Sequence, residues 1–293
     1  MIDWDTIATS ISSATRQSIE ISSQTAISGG WINQAYHITG KDGRQYFVKI
    51  NTADKHAMFV SEVAGLGAIA ATQTIRVPQP IAHGVAGKQS YLVLEHLVLS
   101  PRGDAKLLGK QLAAMHRCTS RSFGFSQDNF IGETQQQNDS SDDWIDFWRE
   151  QRLKFQLRLA SKNGYGDRLD DLGIKLIDAL PAYFDDYSPL PSLLHGDLWG
   201  GNHAYLPDST PVIFDPAAYY GDREADLAMS ELFGGYSADF YAAYRAAYPL
   251  HKGYVLRRDL YNLYHILNHA NMFGGNYVRQ AEEMMRRLLV KSS

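Results

Sequence analysis

The chain has 293 residues, of which 44% are hydrophobic and 20% are charged, and its formal net charge at pH 7 is -4. This length suits two lobes better than one compact core. The mild charge, without a dense run of Lys or Arg, argues against nucleic acid and against an anionic membrane surface as partners. The single cysteine, Cys118, excludes an internal disulfide and a cysteine-based metal cluster. The polar N-terminus and the lack of an apolar run of about 20 residues predict a soluble, cytoplasmic protein.

The first part of the chain is predicted to consist mainly of strands around one helix. Its elements, in order, are a hairpin of strands 35–39 and 45–50, a helix over 54–71 and a second hairpin over 81–94. Asp42 and Gly43, between the first two strands, are a strong hairpin signal. Pro78 and Pro80 cannot continue the helix and therefore end it.

Helical patterns dominate after residue 103. Helices are predicted over 104–117, 144–159, 169–184, 238–248, 257–272 and 277–290, with short strands and loops over 190–216. These patterns predict a small sheet-rich lobe, residues 1–98, and a larger helical lobe, residues 99–293, joined by a short hinge near 95–103.

The stretch HGDLWGGN, from His195 to Asn202, places Asp197 and Asn202 on one glycine-bearing loop. Two apolar runs follow around a turn at 207–210, and the second ends at Asp215, so a hairpin is predicted to bring Asn202 and Asp215 together. Their oxygens suit Mg²⁺, and the Asp197 carboxylate could accept a proton from a hydroxyl that attacks phosphorus. Alternatively, Asp197 and Asn202 cap the loop, since Asp, Asn and Gly all favour turns.

Lys49 ends the otherwise apolar strand YFVKI, where a lysine is costly unless it is paired. Glu62 follows Phe59 by three positions and so lies near the apolar stripe of the predicted helix. An ion pair between Lys49 and Glu62 would remove both costs, and such a pair holds a lysine toward nucleotide phosphates in kinases. An edge-strand lysine and a solvent-exposed glutamate are the alternative for each residue alone.

A glycine-bearing segment near the first strands contains Gly29 and Gly30. Glycines there could let backbone N–H groups approach phosphates. The segment is neither a G-x-G-x-x-G loop nor a P-loop, and a plain hairpin turn explains it nearly as well.

Several motifs, taken together, resemble a known family. FVK, HGDLWGGN and IFDPA, in this order, resemble the fold shared by protein kinases and aminoglycoside phosphotransferases. Four longer stretches resemble the fructosamine kinase (ketosamine-3-kinase) family: SGGWINQAY (28–36), GFSQDNFIGETQQQN (124–138), DPAAYYGDREADLAMSELFGG (215–235) and YHILNHANMFGGNY (264–277). The resemblance covers nearly the whole chain and implies an α+β, bilobal protein-kinase-like fold with a small antiparallel-sheet N-lobe and a larger, mainly helical C-lobe.

The resemblance also implies roles for the matching residues. Asp197 would be the catalytic base, and Asn202 and Asp215 would bind Mg²⁺. Lys49 would bind the α- and β-phosphates of ATP, with Glu62 positioning it.

The strand that ends with Glu95, His96 and Leu97 would be the hinge, whose backbone reads the adenine edge. Asp226 would hydrogen-bond the backbone of the catalytic loop, a structural role. His195 would help to shape that loop, or would be an ordinary core histidine.

Trp199, His269 and Asn271 are candidates for the sugar side, because an aromatic plane and polar groups suit a polyol. For His269 and Asn271, a buried polar contact unrelated to substrate is the alternative. The chain also departs from the family. Trp31 stands where some members carry a cysteine in the glycine loop, and residues 134–138 lack the proline that many members have there.

The resemblance implies an ATP- and Mg²⁺-dependent kinase that phosphorylates a hydroxyl, O3, of a ketosamine (a fructosamine or ribulosamine), free or on a glycated protein, in deglycation repair. One alternative is an aminoglycoside, choline or homoserine kinase of the same fold. Another is a nucleotide-binding pseudokinase, against which the intact Lys49, Asp197, Asn202 and Asp215 argue. A monomer is the favoured oligomeric state.

Overall fold

The computed structural model describes residues 2–28 and 32–291. The chain forms two compact units: unit 1 contains Met1–Asp104 and Ala204–Asp215, and unit 2 contains Ala105–His203 and Pro216–Ser293. A division at one point of the sequence, as expected at residues 98 and 99, does not describe this arrangement, because residues 204–215 pack with the first unit.

Unit 1 is built on an antiparallel sheet. Its elements up to residue 95 are α1 (Trp4–Thr15), β1 (Ile21–Ile27), β2 (Gln34–Gly40), β3 (Gln45–Thr52), α2 (His56–Ala71), β4 (Pro80–Ala86) and β5 (Gln89–Glu95). The strands lie in the order β1-β2-β3-β5-β4, and each neighbouring pair is antiparallel. Both predicted hairpins, β2 with β3 and β4 with β5, are present.

The helix α1 was not predicted, because its sequence is polar apart from a narrow apolar stripe. The side chain of Asp3 caps its first turn by accepting a hydrogen bond from the Thr6 N–H. Ile7 and Ile11 are fully buried and pack with Ile38 and Val48 of the sheet. Burying an aliphatic side chain of this size stabilises the fold by about 1.5–3 kcal/mol.

Unit 2 and the chain segment that returns to unit 1 supply the remaining elements. They are α3 (Ala105–His116), β6 (Asn129–Ile131), β7 (Thr134–Gln136), α4 (Trp144–Phe147), a π-helix (Trp148–Lys154), α5 (Phe155–Lys162), α6 (Gly166–Ala179), β8 (Ser192–Leu194), β9 (His203–Tyr205), β10 (Pro211–Ile213), β11 (Tyr219–Gly221), α7 (Glu224–Leu232), α8 (Ala238–Ala247), α9 (Tyr254–Phe273) and α10 (Asn276–Lys291). The predicted helices are present, although a π-helix interrupts the one at 144–159. The hairpin of β6 and β7 and the helix α7 were not predicted.

The core of unit 2 surrounds α9, whose side chains are buried along most of its length. Trp144, Trp148 and Tyr261 pack against one another in tilted and edge-to-face arrangements within this core. Among the described residues, no helix has the length and apolar composition that crossing a bilayer would require.

Candidate active site

A compact cluster of one cation and two carboxylates lies in unit 1. Lys49 Nζ on β3 is 2.7 Å from Glu62 Oε1 on α2 and 2.6 Å from Asp215 Oδ1. The side chains of Lys49 and Glu62 are only 7% and 12% exposed, whereas that of Asp215 is 46% exposed. The predicted ion pair between Lys49 and Glu62 is therefore present, and it has a third member that was not predicted.

The position of Glu62 follows from the packing of α2. The buried apolar residues of this helix include Phe59, Leu66 and Ile69. Glu62 follows Phe59 by three residues and precedes Leu66 by four, so it faces the sheet with them. A carboxylate at that position needs a buried cation, and Lys49 supplies it.

Electrostatics keep Lys49 charged in this surrounding. Burial by itself would lower the pKa of the Lys49 ammonium, but the charges of Asp215 and Glu62 outweigh burial and raise its pKa above the usual value. Burial raises the pKa of the Glu62 carboxyl, and Lys49 opposes this shift. The cluster thus fixes a permanent positive charge beside a half-exposed carboxylate.

We expect the free energy of unfolding to reveal this coupling. Lys49→Met should lower it by up to about 3–5 kcal/mol, because two carboxylates would then lack their cation. Glu62→Gln should lower the free energy of unfolding less, because Lys49 still pairs with Asp215. The double variant should cost less than the sum of the two. Urea unfolding of all three proteins measures this.

The matched control is Lys154→Met, which breaks the exposed i,i+4 pair of Lys154 with Glu150. It should cost no more than about 0.5 kcal/mol. Strict additivity of the Lys49 and Glu62 variants would contradict the coupling.

Asp215 follows a short hairpin, as predicted. β9 and β10 are joined by a turn in which the Leu206 N–H donates to the Thr210 carbonyl, at 2.8 Å. The Ile213 N–H bonds the Arg76 carbonyl and thereby fixes β10 to unit 1. Asp215 itself has φ 59°, a left-handed conformation that is uncommon for a residue with a side chain. Strain of this kind concentrates at functional sites.

Asp197 and Asn202 contact each other within unit 2. The Asn202 amide group donates to the Asp197 carbonyl at 2.9 Å and to Asp197 Oδ2 at 3.1 Å. A short 3-10 turn, Gly200–Asn202, brings Asn202 back over Asp197. Because the Asn202 nitrogen is used as a donor, its Oδ1 is the atom suited to a cation.

Asp226 holds the backbone that carries Asp197, as predicted from the family resemblance. Its two carboxylate oxygens accept from the N–H groups of His195, at 2.7 Å, and Gly196, at 2.8 Å. His116 Nε2 lies 3.1 Å from the same carboxylate. Burial alone would raise the pKa of Asp226, but the contacts with His116 and with the Gly196 N–H outweigh burial and hold it below its usual range.

Gly196 is required by a close approach of two backbones. Its φ is +82°, and a Cβ atom there would lie 2.0 Å from the Ala217 carbonyl oxygen. The Ala217 N–H in turn donates to the His195 carbonyl at 2.9 Å. The loop that presents Asp197 is thus held against residues 217–218.

A buried amide cluster on β6 and β7 holds those residues in turn. Asn129 donates to the Ala218 carbonyl at 2.7 Å, and Gln136 donates to the Ala217 carbonyl at 3.1 Å. The Tyr264 hydroxyl on α9 donates to Gln136 Oε1 at 2.8 Å. These residues were not predicted from the sequence, although the run of amide side chains in GFSQDNFIGETQQQN is an unusual composition for a buried hairpin.

The predicted hinge residues lie at the end of β5. The Glu95 side chain accepts from Arg76 Nη2 and from the Gln79 N–H, both at 2.6 Å, so its carboxylate supports the local fold. His96 stacks on His37 of β2 with ring centroids 4.3 Å apart. Adenine binding by the backbone of Glu95, His96 and Leu97 stays a prediction.

The three candidates for the sugar side are placed differently. Tyr236 donates to the Trp199 carbonyl at 3.1 Å, and Phe233, three residues before Tyr236, contacts the His269 ring. The segment 233–236 therefore links Trp199 and His269. Asn271 lies on another face of α9 and uses its amide on Gln156. We therefore withdraw Asn271 as a substrate contact, because its polar atoms tie α9 to α5.

Gly29 and Gly30 were predicted to let backbone N–H groups approach phosphates. Both residues lie outside the described residues, as does Trp31.

Comparison with known proteins places the chain. The fructosamine kinase family model matches residues 3–291. A Synechocystis protein named "Probable ketoamine kinase" is 48% identical over 291 residues, which are 98% of this chain and 97% of that protein. The Arabidopsis thaliana "Protein-ribulosamine 3-kinase, chloroplastic" is 46% identical over 257 residues, covering 86% of this chain and 78% of that protein.

Solved structures agree with this placement. A "Putative fructosamine-3-kinase" from Haemophilus somnus 129PT matches with a TM-score of 0.89 and 28% identity, over 98% of this chain and 97% of the other. An aminoglycoside 2'-phosphotransferase-IIIa variant matches with a TM-score of 0.60 at 14% identity, over 98% and 97%, which concerns the fold alone. The predicted α+β, protein-kinase-like fold is confirmed. The chain belongs to the fructosamine kinase family and is an ATP-dependent phosphotransferase with an alcohol group as acceptor.

Proposed function

We propose that the protein is a Mg²⁺-dependent kinase that phosphorylates O3 of a ketosamine, either a fructosamine or a ribulosamine, free or attached to a protein. The observation that carries this substrate class is the similarity, over almost the whole chain, to relatives named ketoamine kinase and protein-ribulosamine 3-kinase. A phosphate at O3 is a leaving group close to the amine-bearing carbon, so the adduct would become labile. Deglycation repair is the proposed role.

The chemistry of the donor atoms fits a divalent cation. Asn202 Oδ1 is left to accept because the amide nitrogen bonds Asp197, and the Asp215 carboxylate is half-exposed. Two protein oxygens, completed by phosphate and water, are what Mg²⁺ usually takes from a kinase. We propose that Asn202 and Asp215 hold the ion, which would neutralise phosphate charge when bound.

The remaining residues position and polarise the reactants. Asp197, held by the Asn202 amide and by the Asp226-bonded backbone, would align the substrate hydroxyl and accept its proton at a carboxylate oxygen. Lys49, kept charged by Glu62, would contact the α- and β-phosphates of ATP. The backbone of Glu95, His96 and Leu97 would bind the adenine edge. Trp199 and His269 would contact the sugar.

A substrate panel tests the proposal. We expect a far higher kcat/KM for a fructosamine or ribulosamine than for kanamycin, choline or free fructose. The free sugar lacks the amine arm whose binding helps to position the hydroxyl. ADP formation with each acceptor, followed by NMR assignment of the phosphorylated carbon, provides the measurement. Phosphorylation of kanamycin with no activity on any ketosamine would refute the proposal and favour an aminoglycoside kinase, and no turnover of any acceptor would favour a pseudokinase.

The buried amide cluster provides a second test, of how Asp197 is held. Tyr264→Phe removes only the hydroxyl that bonds Gln136, and Tyr183→Phe is a matched control that removes an equally buried bond, 2.7 Å long, to the Leu288 carbonyl. Each should cost about 1 kcal/mol of stability. Only Tyr264→Phe should also lower kcat, by about tenfold, because the loop under Asp197 would shift. Equal kcat in the two variants would show that the cluster is merely structural.

A further inference from the structure

Three aromatic rings surround His269 where α7 and α9 end. The centroid of the His269 ring lies 5.1 Å from that of Phe233, 5.6 Å from that of Phe273 and 5.1 Å from that of Tyr277. The Phe273 and Tyr277 centroids are 6.3 Å apart. We call these four residues the aromatic cage.

The cage exposes two phenylalanine side chains to solvent, although phenylalanine is usually buried. Phe273 is 58% exposed and Phe233 is 37% exposed. Phe273 is the last residue of α9, and Gly274 leaves the helix with φ +63°, a conformation that a side chain would strain. Phe233 directly follows α7. Exposed apolar groups of this kind commonly mark a binding site.

His269 contributes a hydrogen-bond acceptor of known orientation. Its Nδ1 lies 2.8 Å from the His265 carbonyl, which can only accept, so Nδ1 carries the proton. Burial lowers the pKa of the His269 ring, which favours its neutral form. The neutral ring then has its lone pair on Nε2, ready to accept from an N–H or O–H group.

The surroundings of the cage favour a cation. The segments 232–236 and 262–277 contain no Asp, Glu, Lys or Arg, so no basic side chain of theirs would repel a positive charge. The carbonyl end of a helix carries partial negative charge, and both α7 and α9 end here. Aromatic faces attract alkylammonium groups and pack against aliphatic chains. The absence of carboxylates there disfavours a polycation.

The cage is connected to the loop of Asp197. On α9, the Tyr264 hydroxyl donates to Gln136 Oε1, and Gln136 donates to the Ala217 carbonyl, against which that loop is held. Tyr264 precedes His269 on α9 by five residues, a rise of about 7.5 Å. The bond from Tyr236 to the Trp199 carbonyl ties the same region to the loop of Asp197.

We propose that the aromatic cage binds the protonated secondary amine of the ketosamine and the first carbons of its aliphatic arm, with His269 Nε2 accepting one ammonium hydrogen. This inference rests on the proposed function, because it assigns the amine of that substrate. It explains why an enzyme of this kind would discriminate against a free sugar: the cage would remain empty.

The test compares Phe273→Leu, which keeps apolar bulk but removes the ring, with Phe273→Tyr, which keeps the ring. The control is Val255→Ala, which removes an exposed apolar group, 57% exposed, from the same helix. The substrate is fructose linked through its amine to hexylamine. Phe273→Leu should raise KM for this substrate about threefold to thirtyfold and leave KM for ATP and the melting temperature unchanged. Val255→Ala should behave as wild type, and Phe273→Tyr, which keeps the ring, should raise KM less than Phe273→Leu does.

A neutral analogue distinguishes the contribution of the ammonium charge to binding from that of apolar contact with the cage. When the substrate nitrogen is acylated, it can no longer be protonated, so wild type should bind it at least about tenfold more weakly, and Phe273→Leu should narrow that difference. Equal KM values for Phe273→Leu and wild type would overturn the proposal, as would equal affinity of wild type for amine and amide. A change of oligomeric state in Phe273→Leu without a change in KM would show that the cage instead contacts a second copy.

Failure of the proposed function would be recognised separately. If wild type phosphorylates no ketosamine, calorimetry with the unreactive 3-deoxy analogue of the hexylamine substrate still measures binding. If wild type binds this analogue and Phe273→Leu binds it more weakly, the result supports the cage as an amine site. If wild type does not bind the analogue, the amine site is excluded.

Discussion

Asp197→Asn is expected to lower kcat by roughly 10²–10⁴-fold, the usual contribution of a general base, while leaving nucleotide affinity largely unchanged. The substitution keeps an oxygen that can accept from the Asn202 amide, so the loop should hold its shape. Only the ability to accept a proton from the substrate hydroxyl is lost. Steady-state kinetics with a ketosamine and calorimetric titration with ATP make the two measurements, and near-wild-type kcat would rule out Asp197 as the base.

Asp226→Asn provides the contrast for this prediction. The Asp226 carboxylate accepts from two backbone N–H groups and contacts His116, so an amide would place an N–H donor against other donors. We therefore expect a clear loss of melting temperature in Asp226→Asn and none in Asp197→Asn. A loss of stability in both would mean that Asp197, too, has a structural role.

Asp215→Ala is expected to abolish most of the Mg²⁺-dependent part of ATP affinity and to lower kcat/KM by several orders of magnitude. Its carboxylate is one of two proposed protein ligands, and metal coordination supplies several kcal/mol of charge stabilisation, at about 1.4 kcal/mol per tenfold change. Titration of ATP at a series of Mg²⁺ concentrations measures the effect. Unchanged Mg²⁺ dependence would refute the assignment.

Asp208→Ala is the matched control, since Asp208 lies in the turn of the same hairpin and accepts from the Thr210 N–H, two residues further along the chain. It should change stability slightly and leave the Mg²⁺ dependence of ATP binding as it is. The hairpin itself would then be shown to tolerate the loss of a carboxylate.

Much of the site could be predicted from short-range patterns. A lysine in an apolar strand and a glutamate beside an apolar helical stripe each need a partner, and the pair of Lys49 with Glu62 is present. The hairpin between Asn202 and Asp215 followed from turn composition. The link of Asp226 to the loop backbone was expected only from the family resemblance, because no local pattern joins residues 30 positions apart.

Only the tertiary structure determines those partners of the site residues that are distant in sequence. Asp215 is the second partner of Lys49, 166 positions away, and Gln136 supports the Ala217 backbone, 81 positions away. The residues next to a side chain in the sequence do not indicate such partners. The amides on β6 and β7 have no periodicity that separates a buried bonded cluster from an exposed polar loop.

The helix α9 shows the division between sequence and structure in one element. Its apolar pattern predicted the helix, because apolar residues at a period of 3.6 are typical of an amphipathic helix. The pattern could not decide that Asn271 would be used by Gln156 while His269 would stand among exposed rings. Two polar residues on one helix differ only in which neighbours the rest of the chain brings to them, and packing alone determines those neighbours.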